Sequence, residues 1–306
     1  MGGSRPPPRI KSVGCRPTGP QGKRCVVVCA DDFGRDIAVN EAVEAAHRDG
    51  ILTAASLMVT APAAADAVAR ARRLPGLGVG LHLVLADGVP ALPAAQLPAL
   101  VGRDGAFDPN MLRAGFRFAF SPAARRQLAA EIGAQFEAFR TTGLDLDHVN
   151  GHKHIHLHPT VARLVVEIGR GYGMRAVRLP VEPAAVLRAA APGERFAAAP
   201  WSPVAAALRR RLDRAGLVHN DALFGIAWSG AMTEERLLAL LPQLPAGVSE
   251  VYGHPACAPG SFVPGYRHAD ELAALLSPRV RRLATALGLG LVRYRDLAPA
   301  RAAPAG

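Results

Sequence analysis

The chain has 306 residues, half of them hydrophobic, and a formal charge of +11 carried mostly by arginine. That length fits one large α/β domain or two modest ones, with apolar content enough for a substantial core. No apolar run reaches the roughly 20 residues needed to span a bilayer, none near Met1 forms the apolar centre of a secretory signal, and scattered arginines among few aromatic residues argue against nucleic-acid binding.

Met1 to Lys23, rich in Gly, Pro and Arg, reads as a flexible basic tail and leaves 24–306 as the folded domain. Cys25 to Ala30 is an apolar, β-branched run of strand length, followed at once by Asp31-Asp32. Ile37 to Arg48 has the apolar spacing of an amphipathic helix, with Asp36 as its N-cap and Gly50 as its stop. A second strand runs from Ile51 to Val59, a helix spans Ala63 to Leu74 before Pro75-Gly76, and a third strand, Leu77 to Leu83, carries His82. This βαβαβ rhythm predicts parallel strands with crossover helices.

From Gly88 to Ser121 the pattern loosens into Pro, Gly and isolated aromatic residues, which predicts a long excursion serving as a lid or pocket wall. Pro122 to Thr142 is a helix with Leu128, Ile132, Phe136 and Phe139 on one face. A strand ending at Val149 leads into a histidine-rich turn, then a helix from Thr160 to Gly171 and a short strand from Ala176 to Leu179. Residues 183–215 read as helical pieces. Ala222 to Ile226, Val248 to Tyr252 and Leu289 to Val292 are the later strands, with helices at Glu234 to Leu241 and Ala269 to Leu287 between them. No repeat or linker divides the chain. The expected fold is therefore a single TIM-barrel-like (β/α) barrel, regular or irregular, with its active site at the carboxyl ends of the strands.

The cysteines, Cys15, Cys25, Cys29 and Cys257, form no C-x-x-C pair, and Cys25 and Cys29 sit in a buried strand where cysteine acts as a small hydrophobe. This usage fits a reducing cytoplasm better than a disulfide framework.

The chemistry concentrates where apolar runs end. Asp31-Asp32, His82, the segment from His148 to Pro159 and His254 each follow a strand, so parallel strands would bring all four neighbourhoods to one face. Adjacent carboxylates repel, and a cation or a shared proton relieves them. One can bind a metal while the other acts as a base toward water. A carboxylate with two or more imidazoles is a metal-ligand set, and His148, His152, His154, His156 and His158 are half of the chain's ten histidines. His254 precedes Pro255, which biases it to an extended conformation and suits a proton donor held at a strand end. Each feature alone also has an ordinary reading: a capping loop for the acids, a hydrogen-bonded core histidine for His82, adventitious metal binding for the cluster, and a plain loop for His254.

Together the segments resemble the YdjC-like carbohydrate deacetylases. The matching elements are Ala30-Asp31-Asp32-Phe33-Gly34, Asn40-Glu41-Ala42, Gly50-Ile51-Leu52-Thr53, Gly80-Leu81-His82-Leu83, His152-Lys153-His154-Ile155-His156 and Gly253-His254-Pro255-Ala256, in family order. The stretch Asp147-His148-Val149-Asn150-Gly151-His152-Lys153-His154, with Leu74 to Pro93, is most similar to the hopanoid-biosynthesis-associated branch. The resemblance implies a barrel-like α/β fold, one divalent metal ion and removal of an N-acetyl group from an amino sugar. It implies Asp32, His82 and His152 as metal ligands, Asp31 as general base, and His254 as acid or oxyanion helper, with His154 and His156 set behind the metal or facing the substrate. It points to Mg²⁺, whereas two imidazoles and one carboxylate also suit Zn²⁺. Many members carry an acid where this chain has Asn150, which leaves Asp147 as the nearby candidate partner for His152. The branch implies an N-acetylglucosaminyl hopanoid as substrate, and hence a cytoplasmic protein held peripherally at the inner membrane, with Arg209, Arg210 and Arg211 as a lipid-facing patch. A soluble chito-oligosaccharide deacetylase and a non-catalytic metal-binding protein are the rival readings; a two-metal phosphoesterase would need more carboxylates.

Overall fold

The computed structural model describes residues 23–197, 199–257 and 263–297. The expected tail, apart from Lys23, lies outside the described residues. Seven parallel strands form one sheet: β1 (Arg24–Phe33), β2 (Ala54–Leu57), β3 (Gly78–Leu83), β4 (Val149–Gly151), β5 (Ala222–Phe224), β6 (Gly247–Gly253) and β7 (Gly290–Leu291). Their order is β4-β3-β2-β1-β6-β5, and β7 pairs with the first residues of β1.

Both faces of β1 are buried, so it reads as an unbroken apolar run. Val26, Val28 and Ala30 face the larger cluster under the helices, while Cys25, Val27 and Cys29 face a smaller one with Leu223, Tyr252 and Tyr294. The small second cluster is the inside of a curled sheet. The helices that cover the outside begin with α1 (Ile37–Asp49), α2 (Ala64–Ala71), α3 (Met111–Phe120), α4 (Pro122–Thr141) and α5 (Pro159–Gly169). They continue with α6 (Ala184–Ala190), α7 (Ser202–Ala215), α8 (Glu234–Leu240), α9 (His268–Leu276), α10 (Pro278–Ala286) and α11 (Tyr294–Leu297). Asp36 caps α1 as expected, its side chain accepting from Ala38 N.

The sheet is a curled, open half-barrel, an irregular relative of the TIM-barrel-like (β/α) barrel expected. The expected strand at Ala176 to Leu179 joins no ladder; it makes only single bridges, Val149 to Val177 and Ala176 to Val218. Pro180 removes a ladder donor there. The Asn220 amide takes up the backbone of Leu179 instead, accepting from its N at 2.7 Å and donating to its O at 2.8 Å. Two helical expectations also change. The Gly88-to-Ser121 excursion contains α3, started by Asn110, whose side chain accepts from Arg113 N. The single helix expected over Ala269 to Leu287 is two, because Pro278 cannot continue α9 and instead opens α10.

A candidate metal centre at the carboxyl end of the sheet

Asp31 and Asp32 reach the mouth of the curl through a bulge. Ala30 pairs with Ala55 and Phe33 with Leu57, so two residues of β1 face the single residue Ser56 of β2. Asp32 takes φ of 63°, a left-handed conformation costing about 1–2 kcal/mol in a non-glycine residue. The bulge lets neighbouring carboxylates serve different partners. Asp32 Oδ1 lies 3.4 Å from His82 Nε2 and 3.3 Å from His152 Nδ1. Its other oxygen accepts from Arg35 Nη1 at 2.8 Å. His82 comes from β3 and His152 from the residue after β4, so residues from three strands of one parallel sheet, β1, β3 and β4, converge at its carboxyl end.

Asp31 turns the other way. Its Oδ2 and Oδ1 accept from Arg178 Nη1 and Nη2 at 2.6 and 2.8 Å, a buried bidentate pair. Burial alone would raise the Asp31 pKa, but the Arg178 guanidinium, with His82 and His254 nearby, holds it far below the usual carboxylate range. Arg178 also donates from Nε and Nη2 to Glu250 Oε1 at 3.0 and 2.7 Å, and Tyr294 Oη donates to Glu250 Oε2 at 2.5 Å. Its guanidinium carbon sits 4.8 Å from the centre of the Tyr252 ring.

The histidine segment divides by backbone geometry. Lys153 and His154 have φ of 52° and 54°, and this double left-handed turn sends successive imidazoles to different places. His154 Nε2 meets Tyr252 Oη at 3.1 Å, and His156 Nε2 meets the Arg178 carbonyl at 3.0 Å. Burial and the Arg178 charge lower both pKa values, His156 to about 3, so both rings are neutral. His158 Nδ1 caps α5 by accepting from Thr160 N. His148 lies behind the sheet mouth, with Nδ1 at 3.0 Å from Asp147 Oδ2 and Nε2 at 3.0 Å from Ser56 Oγ. Asp147 therefore pairs with His148 and with Arg295, not with His152 as the sequence suggested.

His254 follows β6, half-buried, and its peptide is pinned on both sides. Its N donates to Glu271 Oε2 at 2.5 Å and its carbonyl meets His268 Nδ1 at 2.5 Å. Its Nδ1 is buried with no hydrogen-bond partner among the described residues.

Sequence reasoning missed Arg178, Glu250, Glu271, Tyr252 and Tyr294. The available signal was an arginine inside the apolar stretch Ala176-Val177-Arg178-Leu179 and an acid inside Ser249-Glu250-Val251, each of which burial permits only as part of a pair.

The donor set fits a divalent ion. One ligand atom from each of Asp32, His82 and His152 can be chosen so that all lie within 4.8 Å of one another. Spacings of 3.3–3.4 Å match the edge of a polyhedron with bonds of about 2.0–2.2 Å. Asp32 Oδ1, the atom at the centre of the group, is buried with no hydrogen-bond partner, an expense that a cation removes.

Comparison with known proteins adds three findings. Residues 25–286 match the family described as YdjC-like protein. The chain is 31% identical over 278 residues to a carbohydrate deacetylase of Geobacillus stearothermophilus, covering 89% of this chain and 98% of that one. It is 32% identical over 297 residues to a carbohydrate deacetylase of Mus musculus, covering 89% and 94%. Its fold is similar to the solved structure of an Enterococcus faecalis V583 protein ascribed to cellobiose-phosphate cleavage, with TM-score 0.72 and 22% identity, covering 90% of this chain and 100% of that one.

Proposed function

The chain belongs to the YdjC-like protein family, and from that premise we propose that it is a metal-dependent carbohydrate deacetylase that hydrolyses the N-acetyl group of an amino sugar. The observation that carries the reading is the partnerless Asp32 Oδ1 between His82 and His152, one residue from an ionised carboxylate with different partners. Asp32, His82 and His152 hold one divalent ion, Mg²⁺ by resemblance to the family or Zn²⁺ by ligand type. Such an ion supplies Lewis acidity toward the acetamide carbonyl and toward water. Asp31, kept ionised by Arg178, accepts the proton of the attacking water. His254, on a backbone fixed by Glu271 and His268, donates a proton to the departing amine. His154 and His156, committed to Tyr252 and Arg178, support the walls of the site.

His82→Ala is expected to lose both bound metal and activity, read by metal analysis of the purified protein alongside acetate release. Full metal content in that variant would remove His82 from the ligand set.

The finer reading is that the sugar is lipid-linked, an N-acetylglucosaminyl headgroup on a hopanoid, met at the inner surface of a membrane. Its support is α3. Leu112, Phe116 and Phe120, spaced at one helical turn, are 77, 63 and 74% exposed, and Phe116 stacks on Phe120. Arg113 and the half-buried Arg117, both paired with Asp108, run beside them. An apolar stripe edged by arginines suits a lipid surface. Phe118, on the opposite side of α3, packs against His158 at the start of α5, just after the histidine turn. Among the described residues no helix is long and apolar enough to cross a membrane, so contact of this kind is peripheral.

The test is acetate release from N-acetylglucosaminyl hopanoid in vesicles and, separately, from N,N′-diacetylchitobiose. Replacing Leu112, Phe116 and Phe120 by serine should lower release from the vesicle substrate on the order of tenfold or more, since about 1.4 kcal/mol of lost surface affinity is already tenfold. Release from the soluble sugar should stay within about twofold. Equal loss on both substrates, or release from the soluble sugar alone, sets the lipid-linked reading aside in favour of a chito-oligosaccharide substrate.

A further inference from the structure

The His254 peptide is fixed by Glu271 and His268, which sets where the side chain starts but not how its ring is turned. A histidine that passes protons usually has its second nitrogen held by a third group, a carboxylate or a carbonyl. Here Nδ1 is buried with no such partner among the described residues. Two tyrosine rings lie against the imidazole instead. Tyr252 stands 5.6 Å away, centre to centre, at 74°, and Tyr266 stands 5.1 Å away at 59°. Both spacings fall within the roughly 4.5–7 Å of aromatic contact.

Tyr252 is already committed to the polar network, through His154 and the Arg178 guanidinium. Tyr266 belongs to a clasp between two segments that the site has not so far used. Its Oη shares a hydrogen bond with Ser229 Oγ at 2.8 Å, and Arg267 N, next in the chain, donates to the Gly230 carbonyl at 2.6 Å. Gly230 has φ of 74°, and a Cβ there would collide with the Tyr266 ring, so both the turn and the close approach require glycine. A carboxylate ties each end of the segment that carries Ser229 and Gly230. Glu182 accepts from the backbone N of Gly225, Ile226 and Ala227 at 2.9, 2.9 and 2.8 Å. Glu271 Oε1 accepts from Met232 N at 2.9 Å, while its Oε2 holds His254 N. One carboxylate therefore fixes the clasp and the histidine relative to each other.

We propose that Tyr266 is a positioning residue, whose ring, seated on Gly230 and tied to Ser229, holds the His254 imidazole at the angle from which it donates a proton to the departing amine. The inference rests on the reading of His254 as that donor. Ring contact takes the place of the missing hydrogen bond: with the Tyr266 ring gone, nothing on that side stops the imidazole from turning out of reach. Tyr266→Leu should lower kcat about 10- to 100-fold, the scale on which a group displaced by about 1 Å loses effect, with KM within about threefold of wild type. Bound metal should not change, because Tyr266 touches none of Asp32, His82 and His152. Tyr266→Phe keeps the ring and loses only the bond to Ser229, so it should hold kcat within about fivefold of wild type.

The experiment measures kcat and KM for acetate release, metal content, and ¹H–¹³C spectra of the imidazoles, with His254 assigned by comparison with His254→Gln. The expected spectra show one His254 ring environment with Overhauser contacts to the Tyr266 ring in wild type, the same environment in Tyr266→Phe, and a split or averaged signal in Tyr266→Leu. A kcat for Tyr266→Leu within about threefold of wild type, far short of the displacement effect, overturns the proposal. So does a loss carried by KM, which would make Tyr266 a substrate contact, or an unchanged His254 signal in Tyr266→Leu. If Tyr266→Leu does not fold, the wild-type spectrum decides: a His254 ring that already populates two orientations overturns the proposal. His254→Ala separates the two levels of the argument. Full activity in it contradicts the donor reading itself; loss of activity in it, with Tyr266→Leu unimpaired, contradicts only the role of Tyr266.

Discussion

Arg178→Met is expected to destabilise the fold by about 3–5 kcal/mol, the cost of leaving buried charges without their partner. Among the described residues Arg178 is the largest fully buried side chain, and it pairs with both Asp31 and Glu250. Methionine fills much of the volume, so the loss reports charge rather than packing. Tyr294 still donates to Glu250 in the variant, but Asp31 has no comparable replacement. The pH dependence follows from the sign of the Asp31 shift. A carboxylate whose folded pKa lies below its unfolded value stabilises the fold above the unfolded pKa, about 4, and loses that contribution as pH falls toward the folded value. The deficit of Arg178→Met should therefore be largest at neutral pH and shrink in acid. Urea unfolding at about pH 7 and about pH 4 measures both points. A deficit below about 1 kcal/mol at neutral pH would mean that the pair contributes no more than an exposed one.

The second large effect is on catalysis. Asp31→Asn is expected to keep bound metal and lose about 10²-fold in kcat, the lower end of the usual 10²- to 10⁴-fold range for a general base. The lower end follows from Arg178. The pairing that keeps Asp31 ionised also makes it a weak base, well below the pKa near 7 that best suits proton transfer at neutral pH. Asn preserves the shape and one acceptor for Arg178, so folding should change far less than in Arg178→Met. Parallel measurement of kcat, metal content and Tm separates the outcomes. Activity within about threefold of wild type would remove Asp31 as the base, and loss of metal would move it into the ligand set.

Much of this site was legible because the chemistry sits at the ends of apolar strands. Asp31-Asp32 near the end of β1, His82 in β3 and His152 after β4 stand out against a background of valine, leucine and alanine, and parallel strands place them together. Other features were not legible, for physical reasons. Five clustered histidines look equivalent in a sequence, yet the left-handed turn at Lys153 and His154 leaves only His152 beside Asp32. Arg178 is one of 36 basic residues, and nothing local says that it faces inward. Its segment looked like a strand, but Pro180 and Asn220 keep it from becoming one and leave the barrel open. Helix α3 was hidden because its large apolar residues, Leu112, Phe116 and Phe120, face outward, the reverse of the usual amphipathic sign.

The central claim is that Asp32, His82 and His152 hold an ion needed to cleave an acetamide. The most direct test is acetate release from N,N′-diacetylchitobiose and from N-acetylglucosaminyl hopanoid by the purified chain, before chelation, after it, and after return of Mg²⁺ or Zn²⁺. The account predicts release from at least one substrate that chelation abolishes and one of the two ions restores. Release that continues undiminished in a fully chelated protein would contradict it.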